Sequence, residues 1–295
     1  MDGKHVPCCK LSISSSTAVQ DDRPSIPGLN AARIVEVFSS EYYREIDLTE
    51  FFVLSNVSPN LMERTIRFVQ GRYESSPHLK RIRGRSILLT PRIEDQLVDE
   101  FSDAFMLALG KEDLVTTTDL KIEVVKVPQN PVLTISQYKR ANSIWPVRVT
   151  TPLVDETAVV DGSEREIVLD NFKRLVECVT DFHRGACMFR SPVEGESEGI
   201  GIDTSRDLHV HYKHAVFEAS GLVGKISPYL ATDYSVYALG EPCIMCSMAL
   251  LHSRVGRVYY IASGDDSIWG GLGSVLSIHC NKKLNHRFRV FRVQI

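Results

Sequence analysis

The chain has 295 residues, a 43% hydrophobic share and a formal net charge of −3. That length suits one or two domains with sizeable cores. The near balance of charge excludes a protein-wide field for nucleic acid and leaves only local basic patches for such a role. No apolar run approaches the ~18–20 residues of a membrane span. The N-terminal stretch lacks the apolar core of a signal peptide, and the seven cysteines form no disulfide framework. The expectation is a soluble, intracellular protein with no membrane partner.

Residues 1–28 are rich in Ser, Pro, Asp and Gly and lack a period, which predicts a mobile tail. Strand-like runs follow at 32–38 and 51–57. Ser58 and Pro59 open a helix with Leu61, Ile66 and Val69 on its apolar side, and Gly71 can end it. Ser86 to Thr90 reads as a strand. Ile93, Leu97, Phe101, Ala104, Phe105 and Ala108 recur at helical spacing, and Lys121 to Val127 alternates like a half-buried strand. This order predicts a first domain at 29–145, with helices on one face of a sheet. The stretch 146–162 reads as an irregular linker.

The second half opens with a helix from Ser163 to about His183, carrying Ile167, Phe172, Leu175, Val176 and Val179 as its stripe. Ala186 to Phe189 is a short strand, and a weakly marked strand lies somewhere in 199–207. Helices begin at His214 and at Pro242, and strands run from Tyr234 to Leu239 and from Arg257 to Ala262.

Two short stretches carry chemistry: His214-Ala215-Val216 and Pro242-Cys243-Ile244-Met245-Cys246. One His and a Cys-x-x-Cys pair supply three ligands suited to Zn2+. Each lies at a predicted helix start, where the positive end of the dipole helps to keep thiolates deprotonated. Three protein ligands leave one tetrahedral position open, where a bound water drops to a pKa of about 7. The bland alternative is a cysteine pair packed in a core, with His214 unrelated. Zinc nucleobase deaminases read H-x-E and then P-C-x-x-C, the Glu moving the proton. Here that position holds Val216, which neither titrates nor hydrogen-bonds. Glu218 is the nearest substitute, but it lies ~200° round a helix from Val216. Its bland reading is a solvated or ion-paired helix residue.

From His209 to Arg292 the sequence resembles the cytidine-deaminase-like superfamily as used by tRNA adenosine deaminases. More narrowly, it resembles the non-catalytic, Val-for-Glu subunit of the heterodimeric eukaryotic tRNA wobble adenosine deaminase. The likeness rests on the two stretches above, with Glu241 before Pro242. It also rests on Ala249-Leu250-Leu251-His252-Ser253-Arg254, Gly271-Leu272-Gly273-Ser274, Ile278-His279 and Leu284-Asn285-His286-Arg287-Phe288. The resemblance implies an α/β fold class: a three-layer α/β/α zinc domain at 163–295, preceded by a smaller α+β, ferredoxin-like domain at 29–145 that binds tRNA. It implies zinc on His214, Cys243 and Cys246, no catalytic residue in this chain, and a catalytic Glu-bearing partner subunit. The heterodimer would convert the wobble adenosine of tRNA anticodons to inosine, in nucleus and cytoplasm. The competing reading is an active zinc-dependent nucleobase deaminase that uses Glu218 as its proton shuttle.

For RNA contacts the candidates are Lys80, Arg81, Arg83 and Arg85, which alternation would divide between two sides of an extended segment, and Lys282, Lys283 and Arg287 in the basic C-terminal stretch. Ordinary solvated charge is the alternative for both groups. The apolar end at Phe291 to Ile295 suggests that the Ile295 carboxylate folds in as a fourth zinc ligand.

Overall fold

The computed structural model describes residues 26–295 except 75, 94–96, 110–119, 180–184, 194–198, 206–211, 227–229 and 263–269. Nearly all of the predicted tail lies outside the described residues. The chain divides into two compact units, one formed by Met1–Ser40 with Thr157–Ile295 and the other by Glu41–Glu156. In chain order the first elements are β1 (Arg33–Glu36), α1 (Ser40–Tyr43), β2 (Leu48–Ser55), α2 (Pro59–Gln70), β3 (Ile82–Arg83), β4 (Ser86–Pro91), α3 (Val98–Leu109), β5 (Lys121–Pro128) and α4 (Ile135–Ile144). There follow α5 (Gly162–Glu177), β6 (Ala186–Arg190), β7 (Gly199–Ile202), α6 (Ala215–Ile226), β8 (Ser235–Ala238), α7 (Ile244–His252), β9 (Arg257–Ala262) and β10 (Arg289–Gln294).

In the smaller unit, β2 to β5 form an antiparallel sheet in the order β3-β4-β2-β5. With α2 and α3 as the two crossovers this is the βαββαβ pattern of a ferredoxin-like fold. The run Phe51-Phe52-Val53-Leu54 is buried throughout because both faces of β2 are covered. Phe52 and Leu54 pack with Phe101 and Phe105 of α3 and Val69 of α2. Phe51 and Val53 pack on the other face with Ala141 of α4, Trp145 and Val147. The expectation of helices on one face only is therefore corrected, and the irregular stretch 146–162 begins inside this core at Val147. Trp145 and Val147 are each 2% exposed, and Trp145 Nε1 donates to the Lys80 carbonyl at 2.7 Å. Ile93 and Leu97, assigned to the stripe of α3, lie before it and are exposed.

The larger unit is built on a six-stranded sheet of order β1-β10-β9-β8-β6-β7. Strands β8, β9 and β10 run parallel, and the others add antiparallel. Strand alternation splits its side chains between two helical layers. Tyr237, Tyr259 and Phe291 lie in register on three adjacent strands and stack at 5.2 and 4.8 Å between ring centroids. Phe172 of α5 meets Tyr237 edge-on at 5.5 Å, as ring quadrupoles favour. On the opposite face Val236, Ala238, Val258, Tyr260 and Val290 pack against α6 and α7. The result is the three-layer α/β/α sandwich. One boundary moves: β1, placed by the sequence reading in the first domain, pairs with β10 from Arg33↔Gln294 to Glu36↔Phe291. The smaller unit is thus inserted after β1 rather than preceding the larger one. A strand contributed from the far end of the chain leaves no local pattern that assigns it to a sheet.

Phe291 is 1% exposed and ends the aromatic row. Phe291→Ala is expected to cost about 3–5 kcal/mol, read as a lower urea midpoint for the transition that reports the larger unit.

Candidate metal centre

Two helix starts meet at one edge of the sheet. α6 begins after His214, whose carbonyl accepts from the Phe217 and Glu218 amides at 2.9 and 3.1 Å. α7 begins after Cys243, whose carbonyl accepts from Ser247 N at 2.8 Å, and Pro242 precedes it, where its missing N–H costs nothing. Cys243 caps the helix and Cys246 stands three residues on, so both sulfurs share one side of its first turn. Gly199 and Gly201 in β7 allow α6 to approach. A Cβ at Gly199 would meet the Ala219 carbonyl at 2.6 Å, and one at Gly201 would overlap the Ala215 carbonyl and the Ala219 amide. The Thr204 amide also donates to the Lys213 carbonyl at 3.1 Å, tying the end of β7 to the approach to His214.

His214 Nδ1 lies 3.6 Å from Cys243 Sγ and 3.5 Å from Cys246 Sγ, and the three donor atoms lie within 4.8 Å of one another. With metal–nitrogen bonds of ~2.0 Å and metal–sulfur bonds of ~2.3 Å, a tetrahedral ion spaces such atoms by ~3.5 Å. The donor set therefore fits one tetrahedral ion, with two thiolates and an imidazole nitrogen as its ligands. Among the described residues it is the only His, Cys, Asp and Glu grouping of this kind. His214 is 6% exposed and Cys246 is fully buried.

Val216 is fully buried in the core formed by α6, α7 and the sheet. Glu218 does not join the donor atoms. Its carboxylate lies 3.9 Å from Lys213 Nζ, with both side chains about one third exposed at 34% and 35%. At that exposure the pair contributes little.

Ile295 does not come to the donor set. Alternation along β10 turns it to the same face as Phe291 and Val293, which pack with α5, and its side chain abuts Gly28, where a Cβ would stand 2.6 Å from its Cγ2. The metal donors lie on the α6 and α7 side of the sheet. The strand character of 289–294 went unread in the sequence, although Val290, Phe291 and Val293 carry the β-branched and aromatic signal of a strand.

The basic residues divide. Arg81 is 9% exposed and donates to the Tyr73 carbonyl at 3.0 Å. Burial, reinforced by the charge of Arg148, pushes its pKa below the ordinary value. Arg83 donates to the Ile144 carbonyl at 2.6 Å and lies over the Trp145 ring, while Arg85 donates to the Val57 and Asn56 carbonyls. The expected alternation thus gives way to three guanidinium groups that hold backbone within the smaller unit. Arg83 and Arg85 remain exposed despite these bonds, as are Lys80, Lys282, Lys283 and Arg287.

Two residues near the donor set carry interactions that spacing alone does not disclose. The Glu241 carboxylate accepts from the amides of Leu272, Gly273 and Ser274 at 2.9, 2.7 and 3.1 Å. His279 is 4% exposed, and its Nε2 donates to the Val37 carbonyl at 2.8 Å. That bond fixes the proton on Nε2. Burial pushes the His279 pKa below the ordinary 6.5, against the opposing pull of the Val37 bond and of Glu36 and Glu241. Below about pH 6.5 the unfolded chain takes up a proton that folded His279 resists, so stability falls as pH drops toward the folded pKa. The urea midpoint of the wild type is expected to fall more between pH 7.5 and 5.5 than that of His279→Gln, which keeps a donor for Val37 and does not titrate.

Fold and site together give an α/β/α domain with a His/Cys/Cys donor set and a buried valine two residues after the histidine, where zinc nucleobase deaminases carry a glutamate. No family model matches the chain, but curated proteins do. It is 32% identical over 206 residues to the probable inactive tRNA-specific adenosine deaminase-like protein 3 of Danio rerio, covering 57% of this chain and 60% of that protein. It is 49% identical over 216 residues to the Mus musculus protein of the same name, with the same 57% and 60% coverage. It is 30% identical over 205 residues to the tRNA-specific adenosine deaminase subunit tad3 of Schizosaccharomyces pombe, covering 62% and 63%. The chain is thus a homologue of the eukaryotic proteins named tRNA-specific adenosine deaminase-like protein 3 and TAD3. It spans about three fifths of the length of these relatives.

Proposed function

We propose that this chain is the non-catalytic subunit of a heterodimeric tRNA adenosine deaminase, holding a structural zinc and part of the tRNA grip while a Glu-bearing partner converts the wobble adenosine to inosine. The observation that carries this reading is the pairing of an intact donor triangle with a fully buried Val216. Deamination needs a group that passes protons between the zinc-bound water, the ring nitrogen and the departing ammonia. An aliphatic side chain packed among α6, α7 and the sheet cannot do so. The names of the homologues, subunit in one case and inactive in others, support the same conclusion. The Glu218 alternative draws no support from a carboxylate that faces Lys213.

Within this proposal His214, Cys243 and Cys246 hold zinc. When bound, the ion joins the starts of α6 and α7 and stabilises the folded unit. The purified chain is expected to carry about one zinc, and Cys246→Ser is expected to lose it, with a lower melting temperature for the larger unit. Metal analysis of both proteins checks this.

Inosine formation on an anticodon stem-loop is expected only when the Glu-bearing partner is added. Turnover by the chain alone would restore the competing reading. Val216→Glu is expected not to restore turnover, because the carboxylate would enter a packed apolar core. For RNA, the exposed Lys80, Lys282, Lys283 and Arg287 are the contacts proposed. Reversing the charge of the last three is expected to weaken tRNA binding about tenfold near 0.1 M salt and to flatten its salt dependence, as measured by titration at two salt concentrations.

A further inference from the structure

The segment 270–276 runs directly over the first turn of α7. Gly270 forms a bridge to Cys243, a donor residue, and the Gly271 amide donates to the Pro242 carbonyl at 3.0 Å. The segment folds back on itself through Leu276 N to Gly270 O at 3.3 Å and Ile278 N to Gly271 O at 3.1 Å. Its glycines leave no slack. A Cβ at Gly270 would overlap the Glu241 carboxylate, one at Gly271 would stand 2.7 Å from Ser247 Cβ on α7, and one at Gly273 would stand 2.6 Å from the Tyr260 hydroxyl.

At the centre of this lip lie three successive amides, those of Leu272, Gly273 and Ser274, turned toward one oxygen of Glu241. Successive backbone N–H groups curved in this way make an anion-binding nest. Here the anion is internal, and its residue stands two positions before Cys243. Its own chain position thus ties the lip to the start of α7.

We infer that Glu241 is a positioning residue that clamps the 270–276 lip over the Cys243 side of the donor set and so sets how fast the metal leaves. This inference rests on the zinc reading above. The clamp depends on reach more than on charge. A Glu carboxyl spans the gap to the nest, and an Asp, one methylene shorter, falls short of it. A Gln presents a carbonyl oxygen at the same reach and accepts the same amides.

The test uses the full chain, zinc-loaded, mixed with an excess of the chromogenic chelator 4-(2-pyridylazo)resorcinol, with amide exchange of 272–274 followed in parallel. Supporting-shell changes at metal sites commonly alter metal retention by about 10- to 100-fold. Glu241→Ala and Glu241→Asp are each expected to release zinc at least about tenfold faster than wild type, with faster exchange at 272–274. Glu241→Gln is expected to stay within about threefold. The Asp and Gln variants keep the argument testable should the Ala variant fail to fold. Wild-type release rates in Ala and Asp, with exchange accelerated, would show that the lip does not govern the metal and would overturn the inference. Release from Gln as fast as from Ala would overturn it in favour of a purely electrostatic role. Wild-type protein that holds no zinc would overturn the metal reading itself, a result recognisable before any variant is compared.

Discussion

The starts of α6 and α7 bring His214, Cys243 and Cys246 together, and much of the larger unit serves that meeting. α6 is pressed against β7 by glycines that leave no room for a side chain. α7 is started by Pro242 and Cys243 and held at its first turn by the 270–276 segment. Beneath both, Val236, Ala238, Val258 and Val290 give an apolar floor. The His214 to cysteine distances of 3.5 and 3.6 Å are the outcome of that packing. Under the proposed zinc reading, a divalent cation between the two sulfurs would couple metal binding to the folding of this part of the unit.

Against this fixed frame, the change at Val216 is economical. The first residues of α6 face the core, and a β-branched aliphatic residue packs there without disturbing the ligands on either side. A buried carboxylate at that point would need a partner to offset its desolvation, and the water on an open zinc is the partner that an active deaminase provides. With valine the site loses the proton carrier and keeps its architecture.

The donor set was legible in the sequence because ligand chemistry is written in residue types and spacings. His214, Cys243 and Cys246 each stand at a helix start that Pro242 and local periodicity mark. The helices and central strands of the larger unit were legible for the same local reasons. What escaped was non-local. β1 joins β10 across the whole chain, and nothing within Arg33–Glu36 names its sheet. Val147 lies in a stretch that looked irregular and is core, because its burial, like that of Trp145, follows from pairing with Leu79 and Lys80. Arg81, Arg83 and Arg85 read as a basic patch, yet each also donates to a backbone carbonyl of the smaller unit. Glu241 looked like a motif neighbour of Pro242. Its role depends on a loop some thirty residues further on.

The proposed metal centre of one imidazole and two thiolates, in a domain that carries Val216 in place of a proton carrier, is tested most directly by zinc K-edge X-ray absorption on the purified chain. The account predicts two sulfur neighbours at ~2.3 Å and a nitrogen neighbour at ~2.0 Å. A spectrum with only nitrogen and oxygen neighbours, or a chain without an absorption edge at zinc, would contradict it.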